Sequence, residues 1–354
     1  MENCSKDFNG NASATTEAAA FFDSGWQLVA SVEYYMDVAM IVTGIVGSST
    51  NALVLYALVV QYRQESKKRG VYLLIINQNV LDLCCCVFCV FCMSIKVSNI
   101  YLTDTLGHIL CILFINENLA ITFMNTSIVN LMCLTVERYL KVVYPFWSKK
   151  YLKRWVIYAL IIFSWIGGII SFLPFGIVTT YVAKGTCMVY QLYWDIPGIQ
   201  SGYGTYNLVS FFIIPIVIFF YCYAHIVVVL RKQMRVMAGH NVEASSETAS
   251  HSQYRRTKWN VIKTMIIVSA FFVVAWFPGN IYLLVVDSAY ATSEQAIAYR
   301  AMLFLPYANI SLNPFIYATK HDGVRRVLAR KVVCRKRVNA ANVPMRTFVT
   351  TTAS

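Results

Sequence analysis

Charge is what this chain has least of. Charged residues occupy 13% of its 354 positions, and only 17 of them are Asp or Glu, where soluble domains carry about 25% charged residues. With 58% hydrophobic residues and a mean hydropathy of +0.55, a water-facing globule around one buried core is excluded. Other absences narrow the field further. Ahead of residue 30 there is no basic start followed by an apolar stretch and a small-residue cleavage site, so no removable signal peptide is expected and the first apolar run does its own targeting. The two halves show no internal repeat, which argues against a transporter whose broken, repeated helices meet at the midplane. No nucleophile stands with a general base in a pattern that would carry catalysis, so no enzyme is expected.

What the chain has instead is seven apolar runs, at roughly 34–62, 71–95, 108–143, 155–179, 203–231, 260–286 and 298–319. Each meets the roughly 20 residues a helix needs to cross a bilayer. The expected fold class is an all-α membrane protein: a seven-helix bundle over 34–319, an N-terminal segment at 1–33, and an amphipathic helix with a tail at 320–354. The sequons at Asn3 and Asn11 are candidate glycosylation sites, which requires the N-terminus to reach the secretory lumen. Lys and Arg decide the orientation, because short cytoplasmic loops retain positive charge. With the N-terminus outside, only Lys6, Lys96, Lys184 and Arg300 are extracellular, and the other 26 of the 30 basic residues face the cytoplasm. The net charge of +13 therefore lies on one face. It orients the helices and meets anionic lipid or helps to dock a partner; a nucleic-acid reading does not suit it.

Inside the spans, ionisable groups cost about 2.5–3.5 kcal/mol even on the lenient insertion scale. Asp82 and the pair Glu137-Arg138 persist there all the same, accompanied by Asn51, Ser127, Asn130, Asn309 and Asn313. These positions fall in an order: Asn51 in the first run, Asp82 in the second, Glu137-Arg138-Tyr139 closing the third, with Pro145-Phe146 after it. Trp165 and Pro174 follow in the fourth, Pro215 and Tyr223 in the fifth, Phe272-x-x-x-Trp276-Phe277-Pro278 in the sixth and Asn313-Pro314-Phe315-Ile316-Tyr317 in the seventh. One motif set per span, over nearly the whole chain, resembles the rhodopsin-like (class A) family of G-protein-coupled receptors. Four positions depart from that pattern. Gln78 stands where the family usually has Leu, Ala275 where Cys is common and Thr50 where Gly is usual; Cys111 lies further upstream of Arg138 than the family spacing leads one to expect.

The resemblance implies a receptor for an extracellular ligand that activates a heterotrimeric G protein through outward movement of the sixth span, with arrestin, receptor kinases and membrane lipid as further partners. It implies a disulfide between Cys111 and Cys187, which the oxidising exterior would preserve. It assigns the inner machinery to Arg138, paired with Glu137 at rest, and to Tyr139, Tyr223 and Tyr317; the hinges to Pro215, Pro278 and Pro314; and the packing switch to Trp276 and Phe272. Asp82, Ser127, Asn309 and Asn313 would surround an allosteric sodium ion, or a protonated, hydrogen-bonded Asp82 with no ion; no other cofactor is implied. Glu117, Asn118, Ala120, Asn207, Trp276, Asn280, Tyr282 and Tyr307 are candidates for the ligand cavity. Glu117 either holds a cationic ligand or points into headgroups and water. A light sensor would need lysine where the chain has Tyr307, since Lys320 lies past the end of the span. The cysteines between Cys84 and Cys92 point in different directions on a helix and read as packing rather than a metal site. Residues His321 to Val333 have the pattern of an amphipathic helix with Val324, Val327, Leu328 and Val332 toward lipid, and Cys334 behind it is a candidate for palmitoylation. No acid lies between Thr248 and Val286 and Lys258 occupies the end of span six, so that span offers Arg138 no ion pair and ligand-free signalling is expected.

Overall fold

The computed structural model describes residues 4–64, 69–98, 100–189, 199–239, 247–285, 293–320 and 324–329. Helix α1 (Cys4–Gln64) runs without a break through the first span, and α2 (Arg69–Val97) forms the second. The third is broken: α3 (Asp104–Leu110), a wide turn at Cys111–Ile115, and then α4 (Asn118–Val143). A short helix, α5 (Pro145–Tyr151), leads into α6 (Arg154–Thr179). The hairpin of β1 (Thr180–Ala183) and β2 (Thr186–Val189) follows. The last three spans are α7 (Ile199–Leu208) with α8 (Ile214–Gly239), α9 (Glu247–Val285) and α10 (Ser293–Lys320). Among the described residues, six helices are long and apolar enough to cross a membrane, and Ala301–Ile316 inside α10 supplies a seventh apolar stretch. Residues 324–329 form one further helical turn, α11.

The third span is the axis of the bundle: 72% of its apolar window is buried, against 39% or less in the other five long spans. It packs on α2, α6 and α8, while α1 joins α2 to α10 and α9 leans on α10. Outward faces carry bare hydrocarbon, such as Phe220 at 77% and Val274 at 70% exposure. That surface suits lipid, in which helices satisfy their own backbone hydrogen bonds. The buried side chains form two clusters. The larger includes Leu58, Leu74, Leu134, Ile226, Met265 and Phe272; the smaller includes Met40, Cys85, Cys89, Met124 and Tyr307. Trp276 packs against both. Val324 is fully buried in the larger cluster, with Val327 and Leu328 against it. This corrects the expectation that these three face lipid: the turn folds its apolar side onto the bundle and leaves Arg325 and Arg326 exposed. On the side of the basic residues, α8 extends to Gly239 and α9 starts at Glu247.

Both wide turns have local causes. Pro215 has no N–H to return to Phe211, and its ring crowds the preceding turn. The backbone opens into a π turn over Val209–Ile213 immediately ahead of it. In the third span the residues that separate Cys111 from Arg138 beyond the family spacing are absorbed by a second π turn, Cys111–Ile115, and by a break at Asn116 and Glu117. Glu117 there has φ of 60°, in the left-handed region, which costs a residue with a side chain about 1–2 kcal/mol.

The hairpin between α6 and α7 turns through Lys184 and Gly185, at φ of 51° and 76°. Two successive positive values are what a two-residue turn needs to match the twist of its strands. Gly185 is required twice over, since a Cβ at that position would overlap the Tyr101 ring, and its carbonyl accepts from the Leu102 N–H at 2.8 Å. Val182 pairs with Cys187, and Cys187 is bridged to Cys111 with Cα atoms 5.3 Å apart. The hairpin is thereby fastened to the head of span three.

Candidate functional site

The break in span three sets the floor of a site at the hairpin end. Released from helical geometry, Glu117 turns its carboxylate to span seven, where the Tyr307 hydroxyl donates to Oε2 at 2.7 Å. Among the described residues Glu117 has no cationic partner. Two of the ligand-cavity candidates therefore meet, and Glu117 points inward rather than into headgroups. Asn280 donates to the Trp276 carbonyl at 2.8 Å, in the stretch of helix loosened by Pro278. Asn207 and Tyr282 are half-buried on spans five and six. Two candidates turn elsewhere. Asn118 donates to the Ile112 carbonyl at 2.6 Å and to Thr180 Oγ1 at 3.3 Å, and it lies against Gly176 of α6. Its amide braces the break against the hairpin because the π turn has reset the phase of the helix. Ala120 is fully buried, and its carbonyl lies 3.6 Å from Cys85 Sγ of α2. Cys85, Cys89 and Cys92 are buried packing residues in the smaller cluster.

Midway down the bundle, spans two, three and seven converge on Asp82, which is fully buried. Oδ1 accepts from Ser127 Oγ at 2.8 Å and Gln78 Nε2 at 3.1 Å; Oδ2 accepts from Asn313 Nδ2 at 3.1 Å. Gln78 Nε2 also donates to Ser127 Oγ. A cavity of about 20 Å³, measured as room for the centre of a water-sized particle, is lined by Gln78, Ser127, Phe272, Trp276, Asn309 and Asn313. One water needs about 10–15 Å³ on that scale. The four residues expected around a sodium ion are thus together, but a carboxylate offers four lone-pair sites and protein N–H and O–H donors fill three. An amide N–H aimed where a cation would sit does not fit one. Asn309 Oδ1 and Asn313 Oδ1 are buried acceptors without a protein donor, which a water molecule would serve.

At the far end of span three, Glu137 is buried and Arg138 nearly so. Arg138 Nε lies 3.3 Å from Glu137 Oε2, and Lys141, one turn on, pairs with Oε1. Tyr139 packs on Tyr221 and His225 and shares a 3.1 Å hydrogen bond with His225 Nδ1. The Tyr223 hydroxyl lies 2.9 Å from Thr135 Oγ1 and accepts from Ser269 at 3.4 Å, joining spans three, five and six. The Phe272 and Trp276 rings are 5.9 Å apart, and Phe219 meets Phe272 edge-on at 5.8 Å. Pro278 and Pro314 sit inside α9 and α10. The side chains of Tyr317, Lys258 and Asn11 lie outside the described residues, as do Asn3 and Cys334 entirely.

Sequence reasoning missed His225, Thr135 and Ser269, which are single polar residues on apolar helices. It also missed Asp37, buried on span one and 3.5 Å from Lys96 of span two. A charge within an apolar run was the available signal for Asp37.

Residues 50–317 match the model of the 7 transmembrane receptor (rhodopsin family). Melanopsin-A of Gadus morhua is 24% identical over 303 residues, covering 83% of this chain and 51% of that protein. Somatostatin receptor type 4 of Rattus norvegicus is 27% identical over 213 residues, 60% of this chain and 52% of the relative. Somatostatin receptor type 5 of the same species is 28% identical over 333 residues, 90% and 85% respectively. The chain thus spans about half the length of several relatives it matches. The crystal structure of squid rhodopsin superimposes with a TM-score of 0.67 at 19% identity, over 85% of each chain, which establishes the likeness of the fold.

Proposed function

The chain belongs to the rhodopsin family of seven-transmembrane receptors, and from that premise we propose that it is a cell-surface receptor for a cationic ligand, coupled to a heterotrimeric G protein. The N-terminus and the hairpin lie outside, and the basic end with Arg138 lies in the cytoplasm, meeting the G protein and, after activation, receptor kinases and arrestin. Anionic lipid of the inner leaflet lies against the same basic surface. The single observation that carries the ligand class is Glu117. It is a carboxylate turned toward span seven by a strained backbone, holding one hydroxyl and no cation among the described residues. Left-handed strain at a non-glycine residue persists where surrounding structure enforces it, and it clusters at functional positions. A ligand amine or guanidinium seated on Glu117 would draw on Tyr307 and, through the neighbouring Trp276, press on Phe272 and the hinge at Pro278. The sixth span then moves outward and frees Arg138 for the G protein.

The test is a ligand library read by arrestin recruitment and by G-protein activation. Hits that carry a positive charge are expected to lose at least about tenfold in potency in Glu117→Gln, the scale of one charge-assisted hydrogen bond, while surface level is unchanged. Equal potency of cationic hits on both receptors would rule out Glu117 as their partner.

A further inference from the structure

Gln78 interrupts what would otherwise be an oxygen-lined cation site, and the direction of its amide is set from outside the site. The chain of contacts starts at the edge of the bundle, where Trp165 of span four is held edge-on against Phe123, their rings 5.9 Å apart. An indole nitrogen can only donate. Trp165 Nε1 donates to an Asn77 side-chain oxygen at 3.1 Å, so the Asn77 amide nitrogen must face the other way. It donates to Asn130 Oδ1 at 2.8 Å. Asn130 in turn must present its own nitrogen to Gln78, and Nδ2 donates to Oε1 at 2.7 Å. With its oxygen so engaged, Gln78 has only its NH2 left for Asp82 and Ser127. Reversing any one amide would set like poles against each other at two contacts. The relay from Trp165 through Asn77, Asn130 and Gln78 to Asp82 therefore has a single polarity, and it ends in one N–H bond to the buried carboxylate and one to the Ser127 hydroxyl that itself donates to that carboxylate.

We propose that the Gln78 carboxamide takes the place of a monovalent cation beside Asp82, so that the receptor is indifferent to sodium and its central polar cluster is held by protein alone. A cation seated on Oδ1 of Asp82 would have to displace the Gln78 N–H, which orphans that donor and breaks the relay back to span four. The seven-membered bundle thus gains a fixed link from span four to the core where a mobile ion would have been. Removing the amide should expose the carboxylate lone pair and admit the ion.

The experiment is thermal unfolding of the purified full-length receptor in detergent, in sodium chloride against choline chloride at one fixed ionic strength. Wild type is expected to shift by less than about 1 °C, and Gln78→Leu to unfold roughly 3–10 °C higher in sodium than in choline, as a ligand that binds only the native state requires. Gln78→Met keeps the length of the side chain without its donors and serves if the Leu variant does not fold. A sodium-specific rise in wild type overturns the proposal whatever the variants do. A folded Leu or Met variant that remains indifferent to sodium overturns it as well, because then something other than the amide excludes the ion.

Discussion

Replacing Cys187 with Ser is expected to cut the surface level of this receptor at least about fivefold, with Cys111→Ser doing the same. The bridge closes a separation of 76 residues, and chain entropy assigns such a closure roughly 4 kcal/mol. Its geometry makes the loss local and severe. The hairpin is fastened to the bundle by that bridge, by the backbone bond from Leu102 and by Asn116 and Asn118 on Thr180. The head of span three, meanwhile, carries a π turn and a strained Glu117 that need an external brace. These neutral hydrogen bonds, of about 1 kcal/mol each, do not replace the covalent one. Because both cysteines act through one bond, the double variant should be no worse than either single one. Flow cytometry against an N-terminal epitope measures this; wild-type surface levels in either single variant would show that the bridge does not hold the site together.

Glu137→Gln is expected to raise ligand-free signalling by roughly fivefold or more. Glu137 holds both Arg138 and Lys141 from a buried position. Span six contributes no acid between Thr248 and Val286, so the ion pair within span three is expected to carry a large share of the restraint on the resting state. Coupling of about 1–3 kcal/mol moves a two-state equilibrium by about 5–150-fold, and screening by lipid and salt at a cytoplasmic edge favours the lower part of that range. Wild type should already give measurable basal output. Lys258→Glu should lower it by supplying a second acid, an effect that Lys258→Ala does not share. Second-messenger assays at matched surface expression decide: a silent wild type, or Glu and Ala variants that behave alike, would remove the account of the missing restraint.

How far the sequence could be read follows from how each feature is encoded. The spans were legible because a bilayer demands long apolar runs, and the bend at Pro215 because proline removes a particular N–H. The break at Glu117 showed itself only as a displaced Cys111. In a helix apolar on every side, hydrophobic periodicity does not register a π turn, so neither the reset phase nor the turning of Asn118 toward Thr180 could be anticipated. Gln78 showed in the sequence only as a departure from the family pattern, for a related reason. Its meaning lies in contacts with Asn130 and Asp82, on a path that begins at Trp165, and no spacing along one helix encodes that. Glu117 and Tyr307 were both named as cavity residues from their depth, but their meeting at 2.7 Å depends on the same break.

The central claim, that this chain transmits a signal to a G protein through Arg138, is tested most directly without any ligand. The Glu137→Gln receptor is placed in lipid nanodiscs with each class of purified heterotrimer, and the rate of GDP release is followed. With at least one class, release is expected to exceed that with empty nanodiscs by about fivefold or more, and adding Arg138→Ala should return it to the empty-disc rate. Release at the empty-disc rate with every class, or acceleration that survives Arg138→Ala, would contradict the account.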